Sequence, residues 1–426
     1  MKILIHSLYF HPDKTGVAKY SGEMAQWFRA RGHTVEVVTG FPHYPEWRLS
    51  AAYPRTRFLT EDWDGVTVHR VPHYVPTQGR VTALQRILLD VTFFLGSLWK
   101  WRTLFRGRNR FDAVIAVCPT MFSGIPPLFS AWLCKVPWVY HIQDFQVDAA
   151  LRLKMLKLGL LGSLLYRLEN YLVRSASRVA SITPAMCRRA VAKGADESRL
   201  LFLPNWADVH GLKPAGRDNP FRASVPMGQA DMLVLYAGAM GAKQGLEMII
   251  DVARGLSSDP RFHFLIVSAG PEFERLQALA RDAGLANIGF LPLQPRERLG
   301  DMLAAADVHL VIQKADAADL VMPSKLTNIL AIGRPAVATA DPGTALWDVL
   351  VGHDAGVAVP PESPQALQAA LIRLAEDPEA CRRMGGNARR YAEKHLDQEA
   401  ILARFEQELI DMIKAPEDAK KPQNAH

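Results

Sequence analysis

A proline–serine–lysine turn in the last third of the chain has the residue types and spacing that most favour chemistry. Pro323 and Ser324 commonly begin helices, and the unpaired backbone N–H groups of a helix start attract anions. Lys325 adds a full positive charge, and Asn328 lies one turn further on, where its amide can hydrogen-bond a hydroxyl group. Taken alone, the motif is better explained as an ordinary capped helix with a surface lysine, so its context decides.

Glycine-bearing turns follow several predicted strands and supply that context. Glycine lets a backbone approach a phosphate group closely, and a nearby lysine adds charge. The turn residues that we predict to bind such a ligand are Gly16, Gly238, Gly241, Lys243 and Gly270. Phe290 and Leu291 follow another strand and are predicted to make apolar contacts with a base. Each turn is weak evidence by itself, because such turns are common in α/β proteins.

Two groups of polar residues are candidates for holding a sugar. His141 and Asp144 lie at the end of a predicted strand in the first half, where they could position a sugar or transfer a proton. A lone histidine there is more often structural, but the neighbouring carboxylate favours a functional role. Lys314, Asp316 and Asp319, just before the proline–serine–lysine turn, are candidates for binding sugar hydroxyls.

Several other chemistries find no support in the sequence. It contains no G-x-S-x-G, H-E-x-x-H or Walker lysine motif, which argues against serine hydrolases, zinc proteases and P-loop enzymes. Its four cysteines are scattered without C-x-x-C pairs or a His/Cys cluster. We therefore predict no structural zinc, no disulfide framework and no bound metal.

The elements that must position these residues alternate between short β-rich runs and amphipathic helical stretches, a pattern typical of parallel sheets with helical crossovers. The strands predicted in the first half are 2–6, 34–39, 66–71, 113–117, 138–141 and 179–182. Those predicted in the second half are 232–237, 263–267, 288–290, 308–311 and 336–339. The Gly-, Pro- and Arg-rich segment 211–227 is predicted to be the linker between the halves.

The predicted organisation is therefore two Rossmann-like α/β domains. We expect a first domain at 1–206, a second at 207–392, a helix at 393–414 that packs back on the first domain, and a flexible tail at 415–426. Ligands of such sheets bind at the carboxyl ends of the strands, so two facing sheets would enclose a ligand in the cleft between them.

The charge distribution favours an anionic surface as a partner. The net charge is +7, and segments 84–110 and 151–178 combine arginines and lysines with leucines and aromatic residues. We predict that both rest on an anionic membrane, although core-packed helices with solvated basic faces explain either one equally well. The sequence shows neither a secretion signal nor a spanning stretch, so we expect a cytoplasmic protein peripheral to the inner face of the cell membrane. No nucleic-acid-binding module is recognisable.

Longer segments resemble a known family. HIQDFQVDAA, FLPNWAD, AGAMGAKQGLEMII and QKADAADLVMPSKLTNILAIGRPAVATA are similar to segments of the GT-B glycosyltransferases of family 4, and within them of the colanic-acid-type transferases of exopolysaccharide pathways. The resemblance implies metal-independent transfer, with retention at the anomeric carbon, from a nucleoside diphosphate sugar to a lipid-linked oligosaccharide. It favours GDP-fucose as the donor over GDP-mannose or a UDP-sugar, and it implies no cofactor.

The resemblance also implies roles for individual residues. Lys243, Lys325 and the turn at Pro323 would stabilise the departing diphosphate, Asn328 would contact the ribose, and His141 would reach the donor sugar from across the cleft. No residue is identified as a nucleophile.

The sequence departs from the family at four positions. Leu320 and Asn328 stand where most members carry a pair of glutamates, so Asp316 or Asp319 is expected to replace the lost carboxylate. Ala239 and Gln244 stand at the usual arginine and lysine positions.

Two alternatives to the transferase remain open. A sugar-nucleotide 2-epimerase of the same fold would act without an acceptor, and a non-catalytic protein would bind a nucleotide sugar without turning it over.

Overall fold

A computed structural model of the chain describes most of its residues. These are 1–13, 16–44, 47–53, 58–76, 82–106, 111–145, 148, 159–227, 232–238, 240, 244–315 and 323–415.

The chain forms two compact α/β units. Unit 1 comprises Met1–Pro204 together with Ala400–His426, and unit 2 comprises Asn205–Glu399. The predicted linker at 211–227 is wrong, because this segment belongs to unit 2 and contains a helix at Pro220–Ser224. Asn219 caps that helix, and Phe221 is buried in the core of unit 2. Sequence analysis missed the helix because it is short and its residues are of types common in turns.

Unit 1 is built on an eight-stranded sheet. Its strands are β1 (Lys2–Ser7), β2 (Thr34–Thr39), β3 (Leu59–Trp63), β4 (Val66–Arg70), β5 (Ala113–Cys118), β6 (Trp138–Ile142), β7 (Arg178–Ser181) and β8 (Leu200–Phe202). Their order is β3-β4-β2-β1-β5-β6-β7-β8, and all neighbours are parallel except β3 and β4. The sequence order reverses between β1 and β5. Sequence analysis missed β3, whose polar residues alternate with half-buried ones at the sheet edge, and the three-residue β8.

Helices cover both faces of this sheet. They are α1 (Val17–Ala30), α2 (Ala83–Leu104), α3 (Ile125–Cys134), α4 (Leu160–Ser175) and α5 (Pro184–Ala192). The predicted basic segment 84–110 includes most of α2, and 151–178 includes α4, although 107–110 and 151–158 lie outside the described residues. The helix α2 starts with a capping box, in which Thr82 and Gln85 satisfy each other's backbone N–H groups.

A buried lysine ties together the second half of unit 1. The Nζ of Lys193 is 2.5 Å from the Oε2 of Glu169 on α4 and 3.2 Å from the Oδ1 of Asp148, and all three side chains are almost fully buried. The same ammonium lies 4.1 Å from the ring centroid of Tyr166. Arg189 on α5 also pairs with Asp148. This cluster joins the segment after β6 to two helices.

Unit 2 is built on a six-stranded parallel sheet. Its strands are β9 (Met232–Ala237), β10 (Phe262–Ser268), β11 (Ile288–Pro292), β12 (Val308–Val311), β13 (Ala336–Thr339) and β14 (Gly356–Val359). Their order is β11-β10-β9-β12-β13-β14, so the sequence order reverses between β9 and β12. Alternate residues of β9 and β10 pack into different apolar clusters, Tyr236 and Phe264 into one, Leu235 and Leu265 into another.

The helices of unit 2 connect these strands. They are α6 (Pro220–Ser224), α7 (Glu247–Gly255), α8 (Pro271–Asp282), α9 (Leu299–Ala305), α10 (Lys325–Ile332), α11 (Ala345–Leu350), α12 (Pro364–Glu376) and α13 (Pro378–His395). The helix predicted at 393–414 begins within α13, which ends at His395, and otherwise corresponds to a separate helix, α14 (Gln398–Lys414).

The last helix, α14 (Gln398–Lys414), contributes most of its length to unit 1. Glu406 accepts hydrogen bonds from Arg31 at 3.0 Å and pairs with the Nε2 of His33 at 2.5 Å. The ring of Phe405 lies beside that of Phe28, with 6.1 Å between the centroids. None of the helices in the described residues has the length and apolar character needed to cross a bilayer.

Candidate active site

The point of order reversal in the sheet of unit 2 lies between β9 and β12. Connections from such a point run in opposite directions, which leaves a crevice at the carboxyl ends of the two strands. The turn after β9 begins at Gly238, and the segment after β12 leads to α10, which begins at Lys325. These two segments therefore flank the place in unit 2 where a parallel sheet most readily binds a ligand.

Lys325 extends across this point. Its Nζ lies 3.4 Å from the ring centroid of Tyr236, and a Cβ added at Gly238 would be only 3.3 Å from that Nζ. The Nζ is buried, and no residue within the described parts of the chain hydrogen-bonds it. Burial lowers the pKa of Lys325 to about 7, because an ammonium group loses hydration there without gaining a carboxylate.

The backbone around Lys325 has the form of a helix start without a side-chain cap. Ser324 already has helical dihedral angles and its hydroxyl makes no capping hydrogen bond, while Pro323 accepts a hydrogen bond from the N–H of Leu326. Asn328 is half-buried one turn further on, and Gly333 ends the helix in the left-handed conformation. The first-turn N–H groups of α10 and the ammonium group thus lie together at one edge of the sheet.

Glycines shape the neighbouring turns. Gly238 has φ +131°, and its N–H donates to the carbonyl oxygen of Val267 at 3.0 Å, while Ser268 Oγ donates to the Gly238 carbonyl at 2.7 Å. Gly270 has φ +101° and immediately precedes α8. Side chains other than glycine adopt such angles at a cost, so both turns depend on glycine. A second helix start therefore lies at the end of β10, next to β9.

The predicted apolar residues lie elsewhere in unit 2. Phe290 and Leu291 are part of β11 rather than the turn after it, and β11 is an edge strand two places from β9. Their side chains join different apolar clusters, and Phe290 packs edge-on against Phe273 at 5.6 Å. Neighbouring strand residues point to opposite faces, so the two side chains lie on different faces of the sheet, and their contact with a base stays a prediction. The predicted residues Gly241, Lys243, Asp316 and Asp319 lie outside the described residues.

His141 and Asp144 lie at the carboxyl end of β6 in unit 1. His141 is buried; its Nε2 lies 3.2 Å from the Gln143 amide nitrogen, and among the described residues its Nδ1 has no hydrogen-bond partner. Burial lowers the pKa of His141 to about 4, so the ring is neutral at pH 7. Asp144 is half-buried three residues later. A neutral imidazole with an unused nitrogen can hydrogen-bond a sugar, but it does not supply positive charge.

Gly16 lies in unit 1 at a place corresponding to that of Gly238 in unit 2, after the strand at which the sheet order reverses. It has φ +58° and directly precedes α1. Within the part of the chain that the structure describes, no three His, Cys, Asp or Glu side chains group together in a way that could hold a metal ion.

Comparison with known proteins identifies the family. Residues 15–206 match the family model described as a glycosyl transferase 4-like domain, and residues 219–391 match that of glycosyl transferases group 1. The chain is 36% identical over 411 residues to a putative colanic acid biosynthesis glycosyl transferase, WcaI, of Escherichia coli (strain K12), covering 95% of this chain and 98% of that protein. The chain belongs to the GT-B glycosyltransferases of family 4.

Solved structures share the fold of this glycosyltransferase. Sucrose-phosphate synthase of Thermosynechococcus elongatus matches with a TM-score of 0.75 and 17% identity, covering 97% of this chain and 100% of that one. HepE of Anabaena in complex with UDP-glucose matches with a TM-score of 0.68 and 16% identity, covering 96% and 100%. The predicted fold class, two Rossmann-like α/β domains of the GT-B type, is confirmed.

Sequence analysis of this glycosyltransferase missed Tyr236, whose ring lies directly beneath the Lys325 ammonium. A tyrosine within an apolar strand looks like a core residue, and Tyr236 is indeed fully buried. Only its contact with the Lys325 ammonium distinguishes Tyr236 from an ordinary core residue. The ring face attracts a cation, so Tyr236 holds the Lys325 ammonium beside the turns that follow β9 and β12.

Proposed function

We propose that this glycosyltransferase transfers a sugar from a nucleoside diphosphate sugar to a lipid-linked oligosaccharide in exopolysaccharide biosynthesis, with retention at the anomeric carbon and without a metal. The main support for this proposal is the environment of the Lys325 ammonium. This ammonium is buried at the switch point of unit 2 without a carboxylate among the described residues, and two helix starts lie nearby. This environment favours a dianionic diphosphate, whose charge increases as the glycosidic bond breaks.

GDP-fucose is the donor that we favour. Support for this finer assignment comes from the resemblance of the PSKLTNILA segment to colanic-acid-type transferases and from the 36% identity to the E. coli protein named for colanic acid biosynthesis. HepE was solved with UDP-glucose, so a uridine nucleotide is the main competitor. In the reaction, Lys325 and the N–H groups at the start of α10 would stabilise the departing diphosphate. The acceptor hydroxyl would attack on the face that the diphosphate leaves.

The exposed apolar side chains of α2, α3 and α4 are the reason to propose a membrane as a partner. α3 contacts both of the others, and the three expose many large apolar side chains. These are Leu84, Ile87, Leu88, Leu95, Trp99, Phe129, Trp132, Leu133, Leu164 and Tyr171. Trp132, in the uncharged α3, is 77% exposed. An exposed apolar surface of this extent on one side of a unit indicates an interaction site.

The charges on these helices support an anionic bilayer as the partner. Every exposed charged residue that they carry is basic, whereas the two acidic residues, Asp90 and Glu169, are buried. On α4, Leu164, Arg167, Tyr171 and Arg174 recur at spacings of three and four and so share one face. Alternating apolar and basic residues on one face are typical of helices that lie in a membrane interface.

Thermal denaturation with a panel of nucleoside diphosphates tests the donor assignment. We expect GDP to raise the melting temperature more than UDP or ADP, because a ligand that binds only the folded state stabilises it by mass action. Incubation with GDP-fucose alone then separates transfer from epimerisation, since an epimerase converts the free nucleotide sugar. A panel in which no nucleotide stabilises the protein would contradict the proposal, and so would epimer formation without an acceptor.

Flotation with vesicles tests the membrane assignment. The protein should float with phosphatidylglycerol-containing vesicles and not with pure phosphatidylcholine vesicles, because only the former attract the basic residues. Trp132→Ser should abolish flotation, whereas Leu293→Ser, which changes a 44% exposed residue of unit 2, should leave it unchanged. Equal flotation of the two variants, or a Trp132-dependent dimer without lipid, would contradict this assignment.

A further inference from the structure

A second group of functional side chains lies in unit 1, at the carboxyl ends of β1, β2 and β4. We call Tyr9, His43, Tyr44, Trp47 and His73 the aromatic cluster. Tyr9 follows β1, the next three follow β2, and His73 follows β4. Three parallel strands thus deliver five rings to one edge of the sheet, where α/β proteins bind their ligands.

The rings of the aromatic cluster contact one another. Tyr9 lies 5.4 Å from His43 and 5.8 Å from Tyr44, measured between ring centroids. Trp47 lies 6.0 Å from His43 and 5.6 Å from Tyr44, and His73 lies 4.9 Å from His43. These distances are those of packed aromatic pairs. Tyr9, Tyr44, Trp47 and His73 remain partly exposed, so the cluster is an accessible surface and not a core.

His43 brings an unused hydrogen-bond acceptor to the cluster. Its Nδ1 lies 2.9 Å from the carbonyl oxygen of Phe41, which assigns the ring proton to Nδ1. Burial lowers the pKa of His43, so the ring is neutral and its Nε2 carries a free lone pair. The Nε2 is buried, and no described residue hydrogen-bonds it. A buried polar atom without a partner is costly unless a ligand supplies one.

Asp90 on α2 adds a carboxyl group to the cluster. It is 8% exposed and lies one helical turn after Arg86, which contacts the Trp47 ring. Burial raises the pKa of Asp90 to about 8 although the Arg86 guanidinium opposes this shift. Near pH 7 the carboxyl group is therefore mostly protonated and can both donate and accept hydrogen bonds. Arg86 in turn lies over the Trp47 ring at 5.7 Å.

The backbone of Trp47 is held in an unfavourable conformation. Its φ is +52°, in the left-handed region that a bulky side chain rarely occupies. Residues kept in such conformations are concentrated at binding and catalytic sites, where the position of the side chain matters more than the strain. The contacts of the Trp47 ring with His43, Tyr44 and Arg86 accompany this strained backbone.

The combination of groups selects the class of ligand. A sugar ring presents C–H groups on its faces and hydroxyls on its rim, so it needs aromatic surfaces together with hydrogen-bonding groups. The cluster offers flat rings, the Nε2 acceptor of His43 and the Asp90 carboxyl group. A phosphate fits poorly because burial lowers the pKa values of His43 and His73, so that neither ring offers it positive charge. We propose that the aromatic cluster and Asp90 bind a sugar ring of the acceptor. This inference rests on the proposed function.

Saturation-transfer NMR with methyl glycosides tests the site without an identified acceptor. The probes are methyl β-D-glucoside, methyl β-D-galactoside and methyl α-L-fucoside at millimolar concentration, which have no lipid chain to bind exposed helices. We expect saturation of the ring protons of at least one probe. Trp47→Leu should reduce that signal about fivefold or more, since it removes an aromatic contact of the sugar ring. Asp90→Asn should reduce it less, since the amide keeps one acceptor and a donor of different geometry. Trp99→Leu, which changes a 60% exposed tryptophan outside the cluster, should leave it unchanged.

Added GDP separates this site from the nucleotide site. The inference predicts that GDP leaves the saturation signal intact, whereas displacement by GDP would move the sugar to the nucleotide site and overturn it. Absence of saturation with all three probes, or equal signals from Trp99→Leu and both cluster variants, would also overturn it. Nucleotide-induced stabilisation of each variant confirms folding, with Asp90→Asn as the milder change. That stabilisation tests the proposed function independently of the sugar signal.

Discussion

The two units each bury a lysine ammonium over a tyrosine ring, but in different surroundings. In unit 1, Lys193 lies over Tyr166 and contacts the carboxylates of Glu169 and Asp148. In unit 2, Lys325 lies over Tyr236, and within the described residues neither a carboxylate nor any other hydrogen-bonding group contacts its ammonium. Carboxylates of the protein neutralise the first positive charge, whereas no residue that the structure describes neutralises the second.

The difference separates a structural lysine from a ligand-binding one. A buried charge requires hydration, a partner or a shift in pKa. Lys193 has partners, so it joins two helices to the segment after β6. Lys325 has a pKa lowered to about 7, which means that the folded protein alone holds its charge weakly. An arriving diphosphate would restore the full charge. The same substitution at both positions should therefore give opposite results.

The largest expected effect is that of Lys193→Met on stability. Lys193→Met leaves the buried carboxylate of Glu169 without its cation, while Asp148 keeps Arg189, and loss of one partner of a buried ion pair costs about 3–5 kcal/mol of unfolding free energy. Urea denaturation followed by circular dichroism measures the loss. Adding Glu169→Gln to the variant should recover part of it. A small loss, equal to that of Lys325→Met, would remove the distinction between the two lysines.

Lys325→Met should reduce turnover about 100- to 1000-fold, the usual cost of losing one group that stabilises charge in a transition state. The same variant should melt at or above the temperature of the wild type without ligand, because it removes a buried and unpaired charge. Steady-state kinetics with GDP-fucose measure the turnover, and calorimetry measures the melting temperature. Wild-type turnover would exclude Lys325 from the reaction.

Proton uptake should accompany nucleotide-sugar binding. In the free protein the pKa of Lys325 is lowered to about 7, so the group is mostly neutral at pH 8, and an anion bound beside it would raise that pKa. Affinity should then fall up to about tenfold per pH unit above pH 7. Titration calorimetry at pH 8 in buffers of different ionisation enthalpy measures the uptake. Lys325→Met should bind without it, and uptake in that variant would assign the proton elsewhere.

The same pKa sets the sign of the pH dependence of stability. The unfolded lysine titrates near 10.5, so between about pH 7 and 10.5 the unfolded state binds more protons than the folded one. The contribution of Lys325 to stability therefore rises with pH across that window. The stability difference between wild type and Lys325→Met should shrink as pH rises towards 10.

Gly238→Ala should have the smallest effect. The residue has φ +131°, and an added Cβ would lie 3.2 Å from the Cε of Lys325. We expect about 1 kcal/mol of lost stability and a modest fall in turnover, because the lysine can move by a few tenths of an ångström. Gly284→Ala, also at positive φ but with nothing within 4 Å of the added Cβ, is the matched control. Equal loss of turnover in both would show that backbone strain alone is responsible.

Much of the fold was predictable because buried parallel strands are short apolar runs. Each strand predicted in the sequence overlaps an observed strand within one or two residues, from Lys2–Ser7 to Ala336–Thr339. Sequence analysis missed β3, three of whose five residues are polar, and the four-residue strand Gly356–Val359. It also missed the short helix at Pro220–Ser224, whose composition is that of a turn.

The site was predictable only where one short segment carries it. The turn at Pro323 and Lys325 has a local signature, and the structure has a helix start there. The contact of Lys325 with Tyr236 and Gly238 joins residues far apart in sequence, and no pattern within either segment indicates it. The aromatic cluster was missed for the same reason. Its members follow three different strands, and each looks like an ordinary loop residue.

The return of α14 to unit 1 has a consequence for synthesis on the ribosome. Residues from Asn205 to Glu399 emerge as one continuous stretch, so unit 2 can finish folding while the chain is still growing. Unit 1 must wait for its partners Phe405 and Glu406, which are made only after all of unit 2. Truncation near residue 400 would therefore spare the later unit and leave the earlier one incomplete.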